Sequence, residues 1–314
     1  MAMDFWKAQQ RARAKTVYFL IAFFVMTMVV ALGVEWILQN FFEDYYGTKF
    51  PLFAVSFSTI TFLYAFYNYM MFKTQGGSYV AESLGAKRVR RSPKDMPEAL
   101  LYNICEEMAV ASSLPMPEIF ILDSKEINAF AAGLIPEKAA VTVTRGALNK
   151  LNRDELQGVI AHEFGHIYNG DMKIGLRLAA MVAGFFIVLS MGIRMMQYAN
   201  FRTEENERRN PLIFLAIALL AAGAVTWLGG TILRSSVSRE REYLADATGV
   251  QFTRDPSGLI GALEKIERDQ TQDMPALGMP YAHLYFNRSS LWQSLFATHP
   301  PLEERIRALK GDKI

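Results

Sequence analysis

Asn152-Arg-Asp-Glu-Leu-Gln-Gly-Val-Ile-Ala-His162-Glu163-Phe-Gly-His166 is the stretch on which the reading of the chain turns. Asn152 with Glu155 three residues on has the form of an N-cap and its reciprocal partner. Gln157, Val159 and Ile160 then carry the predicted helix into the histidines. A spacing of four puts the imidazoles of His162 and His166 on one helix face, one turn apart, where they can share a tetrahedral metal ion. Glu163 is rotated about 100° from His162 around the helix axis. From there it can act on a metal-activated water as general base without itself ligating the metal. Two histidines on a helix face are otherwise usually solvated or hydrogen-bonded. With only four histidines in the chain, a chance match to this pattern is on the order of one in a few hundred.

A catalytic site of this kind takes three protein ligands and leaves one position open. A third histidine six residues beyond His166 is excluded, because Met172 stands there, and Asp171 one position earlier reads as a cap or local acceptor. Ser238-Arg-Glu-Arg-Glu242-Tyr-Leu-Ala-Asp246 offers two carboxylates four apart on one face of a predicted helix. One can ligate while the other orients a histidine through its second ring nitrogen, a role that suits Asp246. The donor set of His162, His166 and Glu242 favours one Zn2+ per chain.

Outside this centre the chain is greasy: 51% of its 314 residues are hydrophobic and 20% charged. That is more apolar than an ordinary soluble domain. The net charge of +2 gives no reason to expect a nucleic-acid partner. The lone Cys105 cannot form an internal disulfide and reads as a small buried hydrophobe in a helix, in keeping with a reducing compartment. Four runs are expected to cross the bilayer as helices: Val17 to Leu38, Phe50 to Phe72, Leu178 to Ile193, which is the shortest, and Pro211 to Leu233. The first has the length of a span, roughly 30 Å at 1.5 Å per residue, and lacks a cleavage site, so it stays as an anchor.

Lys7, Arg11, Arg13 and Lys15 precede the first span, and Lys73, Lys87, Arg88, Arg90 and Arg91 follow the second. Both sets belong on the cytoplasmic side by the positive-inside rule. Arg194, Arg202, Arg208 and Arg209 between the last two spans run against that rule, partly offset by Glu204, Glu205 and Glu207. Parity is firmer, since His162 precedes these two spans and Glu242 follows them. Both must cross or neither. The expected organisation is therefore a cytoplasmic tail (1–16), two spans (17–72), a first catalytic segment (73–175), a hydrophobic hairpin (176–233) and a second catalytic segment (234–314).

Within the polar segments, Asp95-Met-Pro-Glu98 resembles a capping box opening a helix through about Ala111. Glu118 to Asp123 and Ala139 to Thr144 read as strands that pair. Pro300 and Pro301 predict a helix from Leu302 that holds Arg305 in its first turns. His283 reads as a loop histidine.

These residues resemble the membrane zinc metallopeptidases that include the bacterial HtpX proteases and the CAAX prenyl proteases, with HtpX the nearer likeness. The resemblance rests on two N-terminal spans, Asn128-Ala-Phe-Ala131, the His162 motif with Asp171 after it, the hairpin, Glu242 to Asp246, and His299-Pro-Pro-Leu-Glu-Glu-Arg305. It implies an α-helical membrane protein carrying an α+β gluzincin-like peptidase domain. It implies Glu242 as third ligand, Asp246 supporting the site, Arg305 paired with Asp246, His299 near the oxyanion, and Asn128 beside the substrate backbone on an edge strand. The implied activity is cleavage of misfolded membrane proteins at the cytoplasmic face of the inner membrane. Prenyl-protein processing would ask for a larger intramembrane chamber than four spans suggest, and a zinc scaffold would have no use for Glu163. A transporter would carry ionisable groups inside its spans. Nothing in the sequence sets an oligomeric state.

Overall fold

The computed structural model describes residues 5–41, 50–93, 95–170, 172–201, 211–235, 239–269 and 301–311. Asp171, His283, His299 and the arginines of 202–210 lie outside the described residues. The chain divides into two compact units, Met1–Tyr69 with Arg177–Arg234, and Met70–Leu176 with Ser235–Ile314.

In the first unit, α1 (Phe5–Phe41) carries an inward stripe of Phe23, Thr27, Ala31, Glu35 and Leu38 at spacings of four and three. The opposite face exposes Leu20, Ile21, Phe24, Val29, Leu32 and Trp36. Apolar side chains left exposed on the face away from the helix contacts are what a lipid solvent tolerates. Glu35 is buried and turned to structural use: its carboxylate accepts from the Ala54 backbone N–H in the first turn of α2 (Leu52–Gln75), at 2.9 Å, and from Gln39 Nε2, at 2.8 Å. A carboxylate on the free N–H groups of a helix start is a favourable placement.

Three described helices are long and apolar enough to cross a membrane, with windows at Leu20–Asn40, Gly175–Gln197 and Ile213–Gly230. The expected second span is a helix, α2, of 24 residues. It does not reach the same apolarity, because Ser56, Ser58, Thr59, Thr61 and Asn68 dilute it, and Ser58, Thr61 and Asn68 face inward. The third expected span is not short: it belongs to the 30-residue α7 (Met172–Phe201), followed by α8 (Pro211–Ser235).

The second unit holds a four-stranded sheet among the described residues, in the order β1-β2-β4-β3. β2 (Glu118–Leu122) and β4 (Ala140–Thr144) are the two strands expected from their β-branched runs, and they pair in parallel. β1 (Lys87–Arg88) and β3 (Ala129–Ala132) add antiparallel edges. On one face lie α4 (Met96–Ser112) and α6 (Arg153–Asn169), which join Ile119, Ile121, Val141 and Val143 to Leu101, Ile104, Cys105, Ile160 and Phe164 in one apolar cluster. On the other lies α3 (Gly77–Ser83). Asp95 stands at the N-cap of α4 as expected but makes no side-chain cap bond, so that capping box is not formed. The one at α6 is: Asn152 accepts from Glu155 N–H, and Glu155 accepts from Asn152 N–H. α6 ends at Gly170, whose φ of 71° suits glycine. After α5 (Arg145–Lys150), α6 is flanked by α9 (Arg239–Thr253) and α10 (Ser257–Arg268), and α11 (Leu302–Lys310) packs on both of these.

Candidate metal centre

α6 brings His162, Glu163 and His166 to the side of the sheet, and α9 lays Glu242 and Asp246 against them. One donor atom from each of His162, His166 and Glu242 lies within 4.8 Å of the others. Glu242 Oε2 stands 3.7 Å from His162 Nε2, and its Oε1 stands 3.6 Å from His166 Nε2. Donors around a tetrahedral ion with bonds of about 2.1 Å stand about 3.4 Å apart. The spacing and the His2Glu chemistry both fit a divalent metal. His162 and Glu242 are buried and His166 is half-buried, so the cluster opens to solvent on the His166 side.

The outer groups are set with equal economy. His162 Nδ1 lies 2.8 Å from Asp246 Oδ1, which leaves Nε2 toward Glu242 as the metal-facing donor. Arg305, fully buried from α11, grips Asp246 with both arms: Nε to Oδ2 at 2.9 Å and Nη2 to Oδ1 at 2.6 Å. Its Nη1 is 3.6 Å from Glu242 Oε2, so one guanidinium faces both Asp246 and Glu242. Burial works against the charge of Asp246, yet the Arg305 guanidinium and the His162 ring outweigh it and hold the carboxyl at about 2, below the ordinary 3.8. Burial likewise opposes the charge of Arg305, and the surrounding Asp246, Glu242 and Glu163 carboxylates more than compensate.

Glu163 is buried and its Oε2 accepts from the Ala131 backbone N–H at 2.7 Å. Antiparallel pairing of β3 with β4 turns alternate residues to and from the partner strand. The backbone of Asn128 turns toward β4, exchanging hydrogen bonds of 3.0 Å with Thr144. Ala131 therefore presents its N–H on the free edge, toward α6. Sequence reasoning did not find this partner of Glu163, because a backbone N–H has no residue type to read. Asn128 itself is buried at the entry to β3.

Of the residues singled out from the sequence, the structure gathers His162, Glu163, His166, Glu242, Asp246 and Arg305 into one cluster. Tyr243 and Glu304, which the sequence did not mark, bond at 3.2 Å and help fasten α11 to α9.

The sequence of the chain is similar to those of known peptidases. The profile of Peptidase family M48 matches residues 95–313. A protein named Protease HtpX homolog from Streptococcus uberis is 34% identical over 305 residues, covering 95% of this chain and 96% of its own length. One of the same name from Thermoanaerobacter pseudethanolicus is 41% identical over 248 residues, covering 78% and 81%. A crystal structure of Ste24p from S. mikatae superposes with a TM-score of 0.46 at 19% identity, over 92% of this chain and 67% of that one, a likeness too loose to bear on the fold. With the family match running through α6, α9 and α11 and the apolar helices alongside, the chain belongs to peptidase family M48 and is a membrane metalloprotease.

Proposed function

We propose that this chain is a zinc metalloendopeptidase of gluzincin type, in which His162, His166 and Glu242 hold the metal and Glu163 is the general base. The observation that carries the reading is the convergence of three metal donors from two helices within 4.8 Å, with a further carboxylate, Glu163, in the same turn of α6 but held apart by Ala131 N–H. Zinc held by these three groups would supply Lewis acidity, making a water easier to deprotonate and a peptide carbonyl more electrophilic. The protein does the rest. Asp246 fixes the tautomer and tilt of His162, and Arg305 keeps Asp246 ionised and in place. Glu163 takes a proton from the attacking water and passes it to the leaving amine.

A polypeptide substrate lies extended along the free edge of β3, where main-chain hydrogen bonds hold it with little dependence on its side chains. Asn128 borders this edge, and to His299 falls the role of stabilising the oxyanion that attack generates. Four helices, α1, α2, α7 and α8, cross the cytoplasmic (inner) membrane, and the boundaries at 16, 72, 175 and 233 divide tail, spans and catalytic segments. The basic residues after α2 favour a cytoplasmic peptidase unit. Such a placement suits quality control of misfolded or damaged membrane proteins.

The test is cleavage of unfolded casein by the detergent-solubilised chain and by Glu163→Gln, with zinc content measured for both. Loss of about 10²- to 10⁴-fold in rate with one zinc retained is expected of a missing base. Equal rates in the two proteins, or zinc in neither, would overturn the assignment.

A further inference from the structure

A metal centre assembled from two helices depends on how closely their backbones approach, and here two glycines set that approach. A Cβ placed on Gly165, between the paired histidines, would lie 2.8 Å from the Ala245 carbonyl oxygen and 3.2 Å from its Cα. One placed on Gly249 would lie 2.9 Å from the His162 backbone nitrogen and 3.0 Å from the Ala161 carbonyl carbon. The contacts are reciprocal: the glycine of α6 receives the backbone of α9, and the glycine of α9 receives the backbone of α6. Every atom they meet is main chain, so no side-chain rotation relieves an added methyl. The helices themselves must part.

We propose that Gly165 and Gly249 are positioning residues for the metal centre, acting through Glu242 and His162. This rests on the reading of His162, His166 and Glu242 as metal ligands. The crossing they permit lies at Ala245, next to Asp246 and three residues from Glu242. Any separation there moves Glu242 away from His162 and His166, from which it now stands 3.7 and 3.6 Å. Metal–ligand bonds tolerate about 0.2 Å, less than the displacement an added methyl forces. The same separation draws Asp246 away from His162 Nδ1.

The other glycine of α6 does not share this role. Gly158 is pressed as hard, with a Cβ there 2.4 Å from Leu259 N, but its partner is α10, which carries no member of the cluster. It supplies a matched control.

The experiment titrates zinc against a competing chelator into four full-length, detergent-solubilised, metal-depleted proteins: the unaltered chain, Gly165→Ala, Gly249→Ala and Gly158→Ala. Thermal unfolding of each metal-free form is followed alongside. The proposal expects zinc Kd to rise about 10- to 100-fold in Gly165→Ala and Gly249→Ala, as when a supporting partner of a metal ligand is lost. Gly158→Ala should keep zinc Kd within about threefold, although its metal-free form unfolds at lower temperature. Unchanged Kd in the two seam variants, an equal rise in Gly158→Ala, or loss of the folded metal-free state in both seam variants would each overturn it. If the unaltered chain binds no zinc, the ligand reading itself falls and takes this proposal with it.

Discussion

One side of α6 meets α4, α10 and the sheet mainly through Leu156, Val159, Ile160, Phe164 and Ile167, an apolar surface bordered by ion pairs such as Glu155–Lys265. The other meets α9 and α11 through His162, beside Asp246, Glu242 and the fully buried Arg305. The first kind of contact is non-directional and tolerates exchange among residues of similar size. The second consists of charges that stay buried only while each keeps its partner. One helix thus couples a forgiving foundation to an unforgiving centre.

The contrast is broken most sharply at Arg305. Arg305→Met leaves Asp246 and Glu242 uncompensated, and roughly 3–5 kcal/mol of stability should be lost, measured by unfolding of the metal-free protein in detergent. Adding Asp246→Leu should restore much of the stability but none of the metal affinity. A negligible loss in the single variant would mean the buried pair does not hold the two helices together.

A smaller effect follows from acid. Because the folded protein holds Asp246 at about 2 against an ordinary 3.8, its ionised form stabilises the fold at every pH above the ordinary value. That contribution, roughly 2 kcal/mol, disappears as pH falls from about 4 through about 2. The stability gap between the metal-free chain and Asp246→Asn should therefore be flat above pH 5 and close below pH 4. A gap that widens in acid would contradict the ion pairing.

The apolar side predicts the quietest result. Burial pushes the Cys105 thiol well above its ordinary range, so the thiolate needed for reaction is scarce. Maleimide or iodoacetamide should label Cys105 only as fast as the peptidase unit unfolds, with zinc content unaffected before that point. Rapid labelling of the folded protein would show the foundation to be looser than its packing.

How much of this was legible depended on whether the signal lay in residue type. The α6 motif, its Asn152–Glu155 cap and the two β-branched strands could be read because side-chain chemistry and spacing encode them. Glu242 and Asp246 were reachable from two carboxylates four apart on a predicted helix, and Arg305 only through the family resemblance. β1 was not, since a two-residue strand has no periodicity, and β3 was expected only through the resemblance that put Asn128 on an edge strand, because Ala129-Phe-Ala-Ala132 alternates too weakly to declare itself. The Ala131 N–H on Glu163 is main-chain chemistry, which no sequence prints. α2 reads as a span from its length and lack of charge; the structure shows Ser58, Thr61 and Asn68 on an inward face, a use of polar side chains that the sequence does not declare.

The order of the donors along the chain has a consequence for biogenesis. His162 and His166 emerge before α7 and α8, while Glu242 and Arg305 emerge after them. A nascent polypeptide that has not yet delivered this hairpin to the bilayer holds half a chelate and no orienting pair. On the proposed ligand set, the metal centre is completed only after both helices of the hairpin have been synthesised, so chain order itself delays its assembly.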